Sequence, residues 1–322
     1  MQLISRPRST TEAAQVHQPS QSRRRRARRA TLILTFLLPS AILYIVFIFL
    51  PVMQAAYYSL FSWSGLGPLT DFIGLKNYVN AFKNPVFIGA FFHNLELLVF
   101  SWVFQLSLAL FLALVIGKNL PGRTIFRTIF FLPFILSDVV TGVIWTFIYR
   151  PDGGINTVLP HLIPGYQAQL WLGDTRMVLI SIFVVVVWKY FGLYLVLYMA
   201  ALQNIPDEIV DAARIDGASA MQVIRHVTIP LLSSTIRLSI LLSAVGSLQY
   251  FDLVWVMSGG GPVNSSETMT TYLYRYGFQS YSMGYGSAIG VILFLVCFVF
   301  ALLYQRFVIR ADLAGSLTTA QA

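Results

Sequence analysis

Six long apolar stretches alternate with polar segments along the 322-residue chain, at about 31–57, 90–116, 124–149, 177–202, 231–257 and 286–309. A helix needs about 20 apolar residues to cross a hydrocarbon core, and each stretch reaches that length with room for tilt. The pattern predicts an all-α membrane protein with six transmembrane helices. Pro133 falls inside the third stretch and predicts a kink there, because proline withholds an N–H from its helical turn. Neighbouring helices can satisfy backbone groups freed in this way.

The intervening segments differ in kind. Residues 1–30 are rich in Ser, Gln, Thr and Arg and lack apolar periodicity, so a disordered basic tail is expected there, with a second short tail at 311–322. SGLGP at 64–68, RPDGG at 150–154 and SGGGP at 258–262 combine the residues that turn a chain at a membrane face. The apolar run that starts at Leu32 outlasts the roughly 7–15 residues of a secretory h-region, so it reads as a retained first span.

Composition supports the same class, with 57% hydrophobic and only 11% charged residues where a soluble chain carries about 25% charged. The net charge of +9 raises the possibility of a nucleic-acid partner, and its distribution argues against one. Arg23, Arg24, Arg25, Arg26, Arg28 and Arg29 stand directly before the first stretch, where a basic cluster anchors a span at anionic head groups. With the N-terminus inside, 16 of the 22 Lys and Arg residues lie on the inner side, 5 on the outer side, and Lys189 lies within the fourth stretch. That asymmetry predicts that both termini are cytoplasmic. Cys297 is the one cysteine, so no disulfide closes within the chain. The sequence carries no Walker A pattern, no HExxH and no paired Cys/His set. No catalytic residue, metal ligand or cofactor of its own is therefore expected.

The segment 203–230, between the fourth and fifth stretches, has internal structure. Pro206 suits a first helical turn, and Asp207, Glu208 and Asp211 favour a helix N-terminus. Ile209, Ala212, Ala213 and Ile215 give this short helix an apolar side, and Asp211 can pair with Arg214 three residues on. Gly217 ends or bends it, Ser219 can cap a second helix over Ala220–Val227, and Pro230 should stop that helix. Periodicity alone leaves two readings, an amphipathic loop resting on its own bundle or a docking element.

The loop closely resembles the EAA loop of binding-protein-dependent ABC importers. That pattern is E-A-A, three residues, G, then I-x-L-P. Here it is met by Asp211-Ala212-Ala213, by Gly217 after three residues, and by Val227-Thr228-Ile229-Pro230. Asp211 replaces the usual Glu, one methylene longer, and Ile224 stands where a large apolar residue, often Phe, is expected. The tracts at 120–137, 144–159, 199–206 and 258–274 look like the carbohydrate-uptake branch, related to the maltose and multiple-sugar permeases. The resemblance implies the type I ABC importer fold, with a cytoplasmic coupling helix between helices 4 and 5. It implies two cytoplasmic ATPase subunits that bind ATP and Mg, and a second, similar permease subunit, as a heterodimer or a homodimer. It also implies an extracellular or periplasmic solute-binding protein that delivers a sugar, and residence in a bacterial or archaeal cytoplasmic (inner) membrane. ATPase coupling is carried over to Asp211, Ala212, Ala213, Arg214, Asp216, Gly217 and Ala218.

Polar groups inside a membrane are costly and point to a pathway. Ser243, Ser247 and Tyr250 share one helical face of the fifth stretch. Val186, Lys189, Tyr190 and Leu193 lie in the fourth. These seven are the candidate sugar contacts, since sugar sites mix hydroxyl-bonding groups with aromatic faces. The polar residues among them also fit a helix–helix hydrogen bond or an interfacial anchor, and for the Ser243, Ser247 and Tyr250 face the two readings weigh the same. Asp138 and Asp252 are candidate partners for Lys189. The competing readings are an ABC permease for glycerol-phosphate, amino acid or peptide, and an ion-coupled secondary transporter, although inverted repeats with broken midplane helices are not evident.

Overall fold

The structure is a computed structural model that describes residue 32, residues 35–117 and residues 122–309. The tails expected at 1–30 and 311–322 lie outside the described residues. The described chain is helical, and apart from one isolated bridge between Phe61 and Phe72 no β pairing occurs among the described residues. Two compact units divide at Gln54 and Ala55.

Helix α1 (Thr35–Tyr58) is predominantly apolar and carries no charged residue. It exposes Phe36, Phe47 and Phe49, surface suited to lipid rather than water. The unit from Ala55 onward holds α2 (Lys76–Lys83) and α3 (Pro85–Ile116), then the bent pair α4 (Arg123–Ile135) and α5 (Asp138–Ile148), and then α6 (Gly154–Leu162) and α7 (Val178–Gln203). After these come the short α8 (Asp207–Ile215), the bent pair α9 (Ala220–Leu231) and α10 (Ser233–Leu248), and finally α11 (Asp252–Ser258), α12 (Met269–Leu273) and α13 (Met283–Val308). Four of these helices are long and apolar enough to cross a membrane, and the count reaches six if each bent pair forms one span.

Helix α7 is the buried axis of this unit. Along it, Val185, Val186, Leu195 and Tyr198 are shielded from solvent. On one side α3 offers Ala109 and Ala113 to Leu195, Tyr198 and Leu202, and such small residues let two membrane helices approach closely. On another side α4 crosses at Gly192, where any Cβ would overlap the Phe130 carbonyl. Helix α10 is tied to α3 by Asn94, whose Nδ2 donates to Ser247 O (2.8 Å) and whose Oδ1 accepts from Met269 N (2.9 Å).

At the end where α7 begins, single buried polar side chains organise the loops. Asn156 Oδ1 accepts from Tyr166 Oη, Gln169 N and Trp171 Nε1 within 3.1 Å. In the loop from Ser258 to Thr268, Arg275 donates to Gly259 O and pairs with the buried Glu267 at 3.1 Å. Burial pushes the Glu267 carboxyl above the usual carboxylate range, against the opposing pull of Arg275, Thr271 and His93.

Three expectations of the sequence change. The third stretch turns by 96° at Leu136–Ser137, one turn beyond Pro133, which stays inside α4. Leu136 and Ser137 both adopt extended backbone (ψ 146° and 144°), so α5 starts afresh with Asp138 in its first turn. The fifth stretch is not one helix over 231–257, because α10 ends at Leu248 and the chain leaves helical geometry before α11. Pro230 does not stop the preceding helix, which runs on to Leu231. The reason is a widened π turn at Ile224–Thr228, where Ile229 N–H bonds back to Ile224 O and the ring gains room.

Candidate functional site: a central cavity and a helical hairpin

The break after α4 creates a problem that α7 solves. A helix that stops inside the bundle leaves carbonyls without intrahelical donors. Lys189, 2% exposed, reaches across from α7 and donates to Leu136 O, the first carbonyl after the end of α4. The same Nζ lies 3.1 Å from Asp138 Oδ1. A buried ammonium needs such a counter-charge, and Asp138 sits at the N-terminus of α5, where the helix dipole favours an anion. Tyr190 Oη then donates to Asp138 at 2.8 and 3.0 Å. Of the two partners that the sequence allowed for Lys189, Asp138 is the one it meets.

Asp138 is also a wall of a cavity of about 370 Å³. Tyr190, Leu193 and Tyr194 of α7 form one side, with Phe134 of α4. Leu242 and Gly246 of α10, then Gln249, Tyr250 and Phe251 from the break before α11, and Asp252 at the start of α11, form the other. The Tyr190 and Tyr250 rings stand 6.0 Å apart, and Phe134 meets Tyr190 edge-on at 6.0 Å. The cavity thus joins carboxylates, an amide and phenols to flat apolar faces, a mixture able to hydrogen-bond hydroxyls while packing against C–H surfaces.

The seven candidate cargo residues divide. Tyr190, Leu193 and Tyr250 line the cavity. Val186, Lys189, Ser243 and Ser247 are buried in packing and do not line it. Ser247 Oγ donates to Ser101 Oγ (3.3 Å), which makes it a joint between α10 and α3. Tyr250 lies past the end of α10, and its side chain lines the cavity while staying beside Ser247 and Ser101. Phe134, Tyr194, Leu242, Gly246 and Phe251 were not among the sequence candidates. The Gln249–Asp252 stretch held the missing signal, since polar residues in an apolar run mark a place where a helix can open.

At the other end of α7 stands the hairpin. Helix α8 carries Asp211 and Arg214 as an exposed pair at 3.2 Å. Gly217 follows at φ +83°, a left-handed conformation that glycine adopts without strain. Ser219 starts α9 with a capping box, Ser219 N–H to Gln222 Oε1 (2.7 Å) and Gln222 N–H to Ser219 Oγ (3.4 Å). Val210 packs on the α3–α7 core, and Val223 is buried. The opposite surface is bare: Ile215 is 85% and Met221 69% exposed. Asp211, Ala212, Arg214, Asp216 and Gly217 share that exposure, and Ala213 and Ala218 are half-buried.

Comparison with known proteins converges on one group. The family model described as the binding-protein-dependent transport system inner membrane component matches residues 105–312. A probable ABC transporter permease protein of Bacillus subtilis is 35% identical over 275 residues, 84% of this chain and 94% of that protein. The multiple sugar-binding transport system permease protein of Streptococcus mutans is 32% identical over 262 residues, 81% of this chain and 90% of that protein. Among solved structures, a bacterial ABC transporter involved in the import of the acidic polysaccharide alginate has a chain that superposes with a TM-score of 0.78. That match is 24% identical and covers 90% of this chain and 99% of that chain.

Proposed function

The chain belongs to the family of binding-protein-dependent transport system inner membrane components, and we propose that it is the permease subunit of an ATP-driven importer of sugars or oligosaccharides. Its fold is that of the type I ABC importer permeases, and it is a multi-pass inner membrane protein. In this reading a solute-binding protein outside the membrane delivers the sugar, and a second, similar permease subunit, in a heterodimer, completes the path. Two cytoplasmic ATPase subunits hold ATP and Mg. The hairpin of residues 203–230 carries their closure into the spans, which alternate between inward- and outward-facing. Both termini lie in the cytoplasm, in keeping with the lysine and arginine count.

The observation that carries the proposal is the bare apolar tip of the hairpin. Exposed isoleucine and methionine on a polar, charged element outside the long helices support the reading of a docking surface. Asp211, Arg214 and Asp216 surround them with charge that can fix register. The sugar class is supported by the multiple sugar-binding relative and by the mixed aromatic and polar cavity, where Tyr190, Leu193 and Tyr250 are the proposed contacts.

The test is reconstitution with candidate ATPase subunits in lipid vesicles. Gly217→Pro combined with Asp211→Arg should abolish ATPase docking, because proline cannot adopt a positive φ and the exposed charge is reversed. Normal docking of that variant, measured by co-purification, would sink the coupling role.

A further inference from the structure

The cavity holds two carboxylates and no cation. Asp138 and Asp252 both line it, and no Lys or Arg does so among the described residues. Lys189 is the ammonium beside it, and it is turned away, spent on Leu136 O and Asp138 Oδ1. The fold itself does not decide the charge of the cargo, since the same fold serves an importer of an acidic polysaccharide. The lining decides it.

We propose that this cavity selects uncharged, hydroxyl-rich solutes and turns away anionic ones, with Asp138 and Asp252 as the residues that set the preference. The inference rests on the reading of the cavity as the cargo site. A carboxylate offers about four acceptor positions. Tyr190 Oη and Lys189 Nζ occupy part of this capacity on Asp138, at 2.8–3.1 Å. The remainder, on a side chain that is 30% exposed, faces the cavity. A sugar hydroxyl that donates there makes a charge-assisted bond, about twice as strong as a neutral one. Tyr190 and Tyr250 add ring faces on which the C–H surface of a pyranose can rest. An incoming carboxylate or phosphate meets the reverse. It meets Asp252 and an Asp138 whose charge Lys189 already balances, with no ammonium or guanidinium on the lining to receive it, in a wall of low dielectric where repulsion is poorly screened.

The experiment uses the full chain in lipid nanodiscs and two probes of equal length, maltotriose and trigalacturonate, with binding followed by intrinsic fluorescence. Wild-type protein should bind maltotriose at least about tenfold more tightly than trigalacturonate, the repulsion expected from like charges within a few ångströms at a partly buried site. Asp138→Asn with Asp252→Asn should close most of that gap. Because Asp138 also holds Lys189, a second variant guards against misfolding. Gln249→Lys places a cation on an exposed part of the wall and should shift the preference toward trigalacturonate. Equal or tighter binding of trigalacturonate to the wild type overturns the charge selection and leaves the cargo site standing. Binding of neither probe overturns the cargo site, and the inference with it. An unchanged ratio in both variants overturns the assignment to these residues.

Discussion

Lys189 shows how much one side chain can hold. It was visible in the sequence as a lysine inside an apolar stretch, and its cost demanded a partner. Its second duty, on the Leu136 carbonyl, was not visible, because that carbonyl is orphaned only by a break that propensity does not locate. Removing the ammonium leaves Asp138 uncompensated and Leu136 O without its donor. We expect Lys189→Met to destabilise the bundle by about 3 kcal/mol, in the range for one lost partner of a buried pair. Thermal unfolding in detergent, followed by tryptophan fluorescence, reads this. The double variant with Asp138→Asn should lose less than the sum of the two single changes. Strict additivity would mean that the two residues act independently.

At the scale of elements, the long stretches were legible because a hydrocarbon solvent leaves so few alternatives. Helices α3, α7 and α13 begin and end within a few residues of the stretches read from apolarity. The bent pairs were not legible. Apolarity runs on through Leu136 and through Leu231–Leu232 whether or not the helix does, and Pro133 drew attention to a position that stays helical. Crossing points were equally hidden, since Gly192 is one glycine among 22. Its partner, Phe130, is known only when α4 is laid across α7. A methyl group at Gly192 must push the two helices apart, so Gly192→Ala should cost about 1–3 kcal/mol. Gly89→Ala, in a helix position with open space around it, should be neutral or slightly stabilising. Equal melting temperatures for the two variants would show that α4 and α7 do not need this close approach.

For the whole molecule, the family was legible where its signal is local, and the cavity was hidden because it depends on the assembly of distant segments. Residues 211–217 are contiguous, and their resemblance to a family pattern that ends at Pro230 suggested a docking element, where periodicity alone left an ordinary surface loop equally open. The cavity draws on five helices and the break before α11, so only Tyr190, Leu193 and Tyr250 of its lining stood among the candidates. Val186, Ser243 and Ser247 lie in the same stretches and serve packing instead. The bare Ile215 and Met221 bear on the life of the subunit as well as on its work. On the coupling role proposed above, a permease made without its ATPase would display an apolar tip of the kind that quality-control proteases grip. We expect its half-life in cells to shorten when the ATPase is missing, and Ile215→Gln with Met221→Gln to restore it. A pulse-chase experiment decides this, and an unchanged half-life would rule it out. Surplus copies would then be cleared after synthesis, and the proportion of the subunits in the membrane would be set by degradation as well as by expression.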